Sequence, residues 1–509
     1  MKKPFYERSN ITDENNPINI TYDELLHKSN TDIDTWIDEL RDYVITQWDD
    51  NGQPPVIGQD EDTIIKNWKK LFGYDVDSFF DEENLVVKNF NKFASGVNQF
   101  FPTMLKTKIS SGVSSEGATS IYDHFKEDYL RDHFRKAMLR GLFKDSMYSF
   151  GKSVIRDEMG MTIEEFFVHY NNNEKKGITI LQMRDKDENS DEKYLILTAD
   201  ELKGYIDSGH IVEQNLRTID NDIESFYELK NGEKRYYHYW VRLYNRKQRI
   251  FPTALQIFRL GLGQPAVNFP PLTAKFLYEH FTKHIEGDET LYVYDPSSGW
   301  GGRILGAMSS LKRIHYIGTD PNTDNYIHEI SKTRYEYVAD FFNNEVLESN
   351  PFWEEDQNTY HLFQDGSEFI GNNPEFQSYK GKLDLVFTSP PYFDREQYSE
   401  DKEQSFKLYP KYDSWRDDFL KPTLTNAYEN LREDRYLLWN IADIKVGKNY
   451  HPLEQDSIDI LLSLGAEYKG KLKMLMTSMV GVDQSNVKNA VKINGTYLKY
   501  EPIFIFYKK

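Results

Sequence analysis

The carboxyl-terminal half of the chain is built of short apolar runs, each ending in a cluster of turn residues. Thr290 to Tyr294, Ile314 to Gly318 and Leu383 to Phe387 have this form, the pattern of strands buried in a parallel sheet. Ile304 to Leu311 continues as a helix between the first two. Arg435 to Ile441 reads as the next strand, and Lys471 to Ser478 and Pro502 to Tyr507 close the sheet. The stretches 412–432, opened by Asp413, and 454–464 read as helices covering its faces. Strands alternating with helices predict an α/β fold, a Rossmann-like doubly wound sheet with ligands at the strands' carboxyl ends.

The first 260 residues carry a different pattern. Ile33 to Gln47 and Thr63 to Phe72 read as amphipathic helices, with Asn51-Gly52-Gln53-Pro54-Pro55 as a loop between them. Ser110 to Thr119 is rich in Ser and Gly and reads as a loop. Tyr122 to Phe143 follows as a helix bearing Lys126, Arg131, Arg135, Lys136 and Arg140. Residues 171–193 are polar and Asn-rich, as in an exposed loop or hairpin tip. Two parts are expected: a mainly helical or α+β region over 1–260, and an α/β domain over 264–509.

The candidate chemistry sits where the strands end. After the first strand comes Asp295-Pro-Ser297-Ser-Gly299-Trp-Gly301-Gly-Arg303, whose glycines allow a sharp turn and close approach to a ligand. Asp320 follows the second strand, where a carboxylate binds ribose hydroxyls in dinucleotide folds. Asp365 is a further acid ahead of the third strand. That strand ends in Ser389-Pro390-Pro391-Tyr392. Two prolines stiffen this loop, and it offers carbonyl oxygens and a hydroxyl as acceptors beside an aromatic face. Such a surface suits a planar substrate with an exocyclic amine.

From roughly Gln264 to Lys509 the chain resembles the SAM-dependent DNA amino-methyltransferases, which act on cytosine N4 or adenine N6. Their catalytic tetrapeptide, Ser/Asp/Asn-Pro-Pro-Tyr/Phe/Trp, matches Ser389, Pro390, Pro391 and Tyr392. A Ser in first place is most similar to the cytosine-N4 enzymes. The resemblance implies S-adenosyl-L-methionine as cofactor. Its methionine end would lie by Asp295, Ser297, Gly299 and Gly301, its ribose on Asp320 and its adenine near Asp365. Asn268-Phe269-Pro-Pro resembles the family's helix-leading cofactor motif, and Tyr500 to Lys508 its final antiparallel strand. The family's Gly-Ser-Gly-Thr-Thr is here Gly299-Trp-Gly-Gly-Arg303, a departure that bears on the pocket but not on the turn.

Composition narrows the chemistry. The chain has 0 Cys, which excludes cytosine C5 methylation through a cysteine nucleophile, and disulfide frameworks with it. No metal-ligand spacing, signal peptide or bilayer-spanning run is present, so a cytoplasmic protein of a prokaryotic or phage-infected cell is expected. The net charge of -20 requires any DNA to be held by local patches. The best is Lys234 to Arg249, where Lys234, Arg235, Arg242, Arg246, Lys247 and Arg249 interleave with Tyr236, Tyr237, Tyr239, Trp240 and Tyr244. It reads either as a DNA contact or as a strand pair with inward aromatics and solvated cations. A target-recognition region is expected within residues 1–260, because little room for one remains after Tyr392. The expected activity is modification methylation of DNA, as in restriction-modification, with cytosine N4 favoured over adenine N6. RNA or protein-glutamine amino-methylation, and a SAM-fold protein without turnover, are the alternatives.

Overall fold

The computed structural model describes residues 20, 24, 30–52, 54, 61–88, 93–109, 117–139, 160, 165, 178–184, 193–208, 226–228, 234–243, 266–287, 289–349, 357–446, 449–476, 488–493 and 496–509. Along the chain a large sheet takes its strands from Val86–Val87 (β1), Leu291–Asp295 (β2), Ile314–Thr319 (β3), Thr359–Phe363 (β4), Leu383–Thr388 (β5), Leu431–Asn440 (β6), Glu467–Leu475 (β7) and Thr496–Lys508 (β8). From one edge to the other they run β1, β7, β8, β6, β5, β2, β3, β4, with Phe80–Asp81 beyond β1. The strands from β6 to β4 are parallel, and β8 runs antiparallel between β6 and β7. The chain leaves β2 towards β3 and β4, then returns to place β5 on the other side of β2. Strand order therefore reverses between β2 and β5, and the crevice at their carboxyl ends is the natural ligand position in such a sheet.

Helices cover both faces. They include Asn30–Asn51 (α1), Glu61–Phe72 (α2), Pro271–Phe281 (α3), Gly302–Met308 (α4), Arg334–Ser349 (α5), Lys421–Asn430 (α6) and Leu453–Ser463 (α7). All six residues of β5 are buried. Successive side chains point to opposite faces, so Leu385 and Phe387 join the core beneath α2 to α5 and Val386 the one beneath α6 and α7; Leu383, on the far side of a register irregularity before Leu385, joins the latter as well. The buried Asp384 at the start of β5 is neutralised by Arg432 and Arg435, at 2.9 and 3.2 Å, and also accepts from the Tyr292 amide.

Several elements differ from the sequence reading. A division at residue 260 does not coincide with the core. Trp68, Val87, Phe100 and Phe101 lie in the same cluster as Leu272, Ile304 and Phe342, and β1 pairs with β7. The expected helix 122–143 breaks at Glu127, which is extended between Ile121–Lys126 and Arg131–Leu139. The helix expected over 412–432 is Tyr412–Trp415 followed by a π-helical segment, Arg416–Leu420, and then α6. Strand β4 is an addition to the sequence reading. Its polar Thr359 and His361 break the apolar run that marks its neighbours.

The polar stretch 171–193 is partly strand. Ile178–Arg184 pairs with Lys193–Thr198 in a four-stranded antiparallel sheet of order 193–198, 178–184, 234–243, 226–228. Lys234–Leu243 is thus an internal strand by its backbone, while residues 244–249 lie outside the described residues. Residues 110–116 of the Ser/Gly-rich stretch do so as well. Among the described residues no helix is long and apolar enough to cross a membrane.

Candidate active site

A cavity of about 430 Å³ opens at the carboxyl ends of β2, β3 and β5. Asn268, Phe269, Ser297, Gly299, Asp320, Ser389, Pro390, Pro391 and Tyr392 line it together, although they come from four separate segments. Asp295, Gly301 and Asp365 do not line it, and each acts from behind the wall.

Asp295 ends β2 and is fully buried. Its carboxylate accepts from Arg303 Nε at 2.7 Å, Tyr316 Oη at 2.6 Å, Thr388 Oγ1 at 2.6 Å and the Ser297 amide at 3.2 Å. One buried anion therefore ties β2, β3, α4 and the residue preceding Ser389. The tetrapeptide is positioned through this acid.

The glycine turn is equally enclosed. Gly301 has φ +80° and is the left-handed residue that starts α4. A side chain there would run into the Phe101 ring, and one at Gly302 would overlap the Phe269 carbonyl. Asn268 holds the turn from below: its amide nitrogen donates to Trp300 O at 2.7 Å and Asn98 Oδ1 at 3.1 Å, and its oxygen accepts from Gly302 N at 3.2 Å. The Phe269 ring packs edge-on to Phe387, with the Arg303 guanidinium 5.8 Å from its centroid.

Asp320 follows β3. One carboxylate oxygen accepts from the Asn322 amide at 2.9 Å, and the other bonds to the Tyr335 hydroxyl. The same hydroxyl lies 2.6 Å from Gly299 O, and its one hydrogen is shared between the two, which joins the acid to the glycine turn. Burial, only partly offset by these donors, pushes the Asp320 carboxyl up to about 6. Asp365 accepts from the Gly366 amide at 2.8 Å, so the wall beside it is made by Gly366, Ser367 and Glu368. Burial holds Glu368 up to about 7.

In the tetrapeptide Pro390 is buried, while Ser389, Pro391 and Tyr392 are half-buried at the cavity. The Tyr392 hydroxyl donates to Glu501 Oε1 at 2.8 Å and reaches Asn440 O at 3.4 Å. Burial and the Glu501 carboxylate both push its pKa up, so the ring stays neutral. Phe393, the next residue, has φ +52°, left-handed for a residue with a Cβ. Such a conformation costs about 1–3 kcal/mol and persists only where the surroundings enforce it. Here Tyr412, Trp415 and His451 enclose the ring.

Sequence reasoning missed the walls. Glu396–Gln397, just past the tetrapeptide, pairs antiparallel with Lys108–Ile109, and Ile109 lines the cavity. Lys108 bonds Glu400 at 3.1 Å, and Asp401 accepts from the Thr323 amide at 2.8 Å. The connection 394–411, one of two after the tetrapeptide long enough to touch DNA, is thus fastened to both the amino-terminal segment and the β3 loop. Of the second, 479–499, residues 479–487 and 494–495 lie outside the described residues. Glu501, Glu396 and Tyr335 carry no local motif, and only Arg303 had a sequence signal, as the departure in the glycine turn.

The DNA methylase family of N6 and N4 enzymes matches residues 383–509, from the start of β5 to the last residue. No curated protein matches the chain. Among solved structures, TTHA0409 of Thermus thermophilus, a candidate DNA modification methylase, is 17% identical with a TM-score of 0.19, and the match covers 28% of this chain and 50% of that one. The same protein complexed with S-adenosyl-L-methionine gives 17% identity and TM-score 0.19, over 28% and 53%. A TehB-like SAM-dependent methyltransferase of Corynebacterium glutamicum is 10% identical with TM-score 0.22, over 50% of this chain and 96% of its own. This chain thus spans about half the length of the first of these.

Proposed function

We propose that this chain, which the DNA methylase family of N6 and N4 enzymes matches over residues 383–509, transfers a methyl group from S-adenosyl-L-methionine to an exocyclic amine of a DNA base, cytosine N4 before adenine N6. The carrying observation is that the glycine turn, Asp320 and the Ser389–Tyr392 loop line one cavity at the point where strand order reverses. The cofactor fits the residues present: a left-handed glycine turn, a strand-end carboxylate, and a buried guanidinium nitrogen of Arg303 without a protein partner. Gly299 and Ser297 would hold its amino-acid end, Asp320 its ribose, and the Gly366–Glu368 wall its adenine. When bound, it supplies an electrophilic methyl group.

The chain's own residues do the rest. The Ser389 hydroxyl and the Pro390 carbonyl accept the amine's hydrogens, drawing positive charge off the nitrogen as its lone pair is used. The Tyr392 ring, fixed by Glu501, stacks on a base turned out of the duplex. The preference for cytosine N4 rests on Ser at position 389. Lys234 to Arg249 is the candidate DNA contact, on its local positive charge within an acidic chain. Mass spectrometry of nucleosides from DNA of cells expressing the chain is expected to show N4-methylcytosine. N6-methyladenine would correct the base, and no methylated base would overturn the activity. Charge reversal at Arg242 and Arg246 is expected to lower the same mark and flatten the salt dependence of DNA binding; an unchanged slope would leave the stretch a solvated strand.

The cofactor half makes a pH prediction. Asp320 accepts on both oxygens, with a full negative charge, only as a carboxylate, and burial pushes its carboxyl up to about 6. Affinity for SAM is therefore full above this pH and falls as pH drops through it, by about tenfold at pH 5. Calorimetry across pH 5–8 checks this. Asp320→Asn should bind weakly at every pH, and a wild-type affinity that is flat across the range would remove Asp320 from the site.

A further inference from the structure

Arg303 is a cation in an unusual position. It is the second residue of α4 and only 4% exposed, yet it lines the cavity. Its Nε is committed to Asp295, which already receives hydrogen bonds from Tyr316, Thr388 and the Ser297 amide. Its Nη2 is buried with no hydrogen-bond partner in the protein. A guanidinium stays charged at every physiological pH, and a buried donor left unpaired is costly, so the group calls for an acceptor from outside the chain. Gly299 lies directly over this edge. A side chain at that position would come to 3.0 Å from Nη2 and 3.4 Å from Nη1, so any residue but glycine would crowd the guanidinium on that side.

We propose that Arg303 recognises the carboxylate of the cofactor's amino-acid end, and so selects ligands that carry it. This rests on reading the cavity as the SAM site. The surroundings favour a single carboxylate over a phosphate. Acids outnumber bases on the remaining walls, where Asp320, Glu368, Glu396 and Glu501 are among those that stand against Arg395, Lys445 and Lys499, and a doubly charged anion would meet this net negative surround. A zwitterion does not: its carboxylate faces Arg303 while its ammonium faces the acidic side. The ordering along the wall also fits. Tyr335 bridges Gly299 O and Asp320, which sets the glycine turn between the guanidinium and the carboxylate assigned to the ribose. Arg303 is thus a binding residue as well as the partner of Asp295.

The test compares three probes by calorimetry: S-adenosylhomocysteine, its decarboxylated analogue, and adenosine. Wild type is expected to bind the first about 10- to 100-fold more tightly than the second, the range for a hydrogen bond to a charged group. Arg303→Lys keeps a charge opposite Asp295, and the double variant Asp295→Asn, Arg303→Gln replaces the ion pair by neutral amides. In either, the ratio is expected to fall below about threefold, with adenosine affinity measured in the same variant as its reference. A wild-type ratio near one, or a ratio unchanged in a folded variant, overturns the proposal and leaves the SAM reading standing. Wild type that binds neither S-adenosylhomocysteine nor adenosine overturns both. Circular dichroism establishes whether the variants fold, and if neither does, the wild-type ratio decides.

Discussion

Ser389→Ala is expected to lower methyl-transfer turnover by about 100-fold, the cost of removing one group that stabilises developing charge in a preorganised site. Its affinity for SAM should not change, because the hydroxyl faces the amine where charge appears only during the reaction. Tyr392→Ala acts differently. It removes base stacking worth about 1–3 kcal/mol and should weaken productive DNA binding accordingly. Tyr392→Phe keeps the ring and loses the hydroxyl's bonds to Glu501, Asn440 O and Ser389, so it should fall between wild type and the alanine variant. Single-turnover rates with a methylated-nucleoside readout separate these effects. A Ser389→Ala, Tyr392→Ala double variant with the wild-type rate would end the assignment of the loop to catalysis.

Gly302→Ala is expected to have the largest structural effect of any single methyl group added at the site. The new Cβ would overlap the Phe269 carbonyl and lie 2.7 Å from Asn268 Oδ1. Both obstacles belong to the segment leading into α3, so the clash can be relieved only by moving one helix from the other. Overpacking of this kind costs about 3 kcal/mol. The urea midpoint should drop, and SAM binding should be lost in the protein that still folds. Gly204→Ala is the control, since a Cβ there meets nothing within 4 Å and shortens the list of unfolded conformations. Equal midpoints for the two variants would mean that α3 and α4 can separate without cost.

The parts of the fold that are legible in the sequence are those whose burial is complete. Strands β2, β3 and β5 are nearly continuous apolar runs because helices cover both faces, and the runs begin within a residue of the strands themselves. Strand β4 lies at the sheet's edge, where Thr359 and His361 are tolerated, so no run announces it. The tetrapeptide and the glycine turn are legible because stiff prolines and left-handed glycines are local necessities. Asp295 and Asp320 are legible as acids at strand ends, but not in what they do. A carboxylate's role depends on which donors the fold brings to it. Four donors enclose Asp295, three of them from other elements, and none is within its own turn except the Ser297 amide. The contribution of residues 61–109 is illegible for the same reason: the partners of that segment lie hundreds of residues further along the chain.

That separation governs how the molecule is made. Lys473 Nζ bonds Asn84 O across 389 residues of sequence, at the place where β1 joins the sheet. Contacts of such range close large loops and form slowly, so the relative contact order of this sheet is high. As synthesis proceeds from the amino terminus, Trp68, Phe100 and Phe101 emerge long before the strands and helices that cover them. An unpaired β-edge and an uncovered aromatic face wait together through most of translation. This is the state in which chains of this kind associate with one another, and yield of folded protein should therefore rise with slower synthesis and lower temperature.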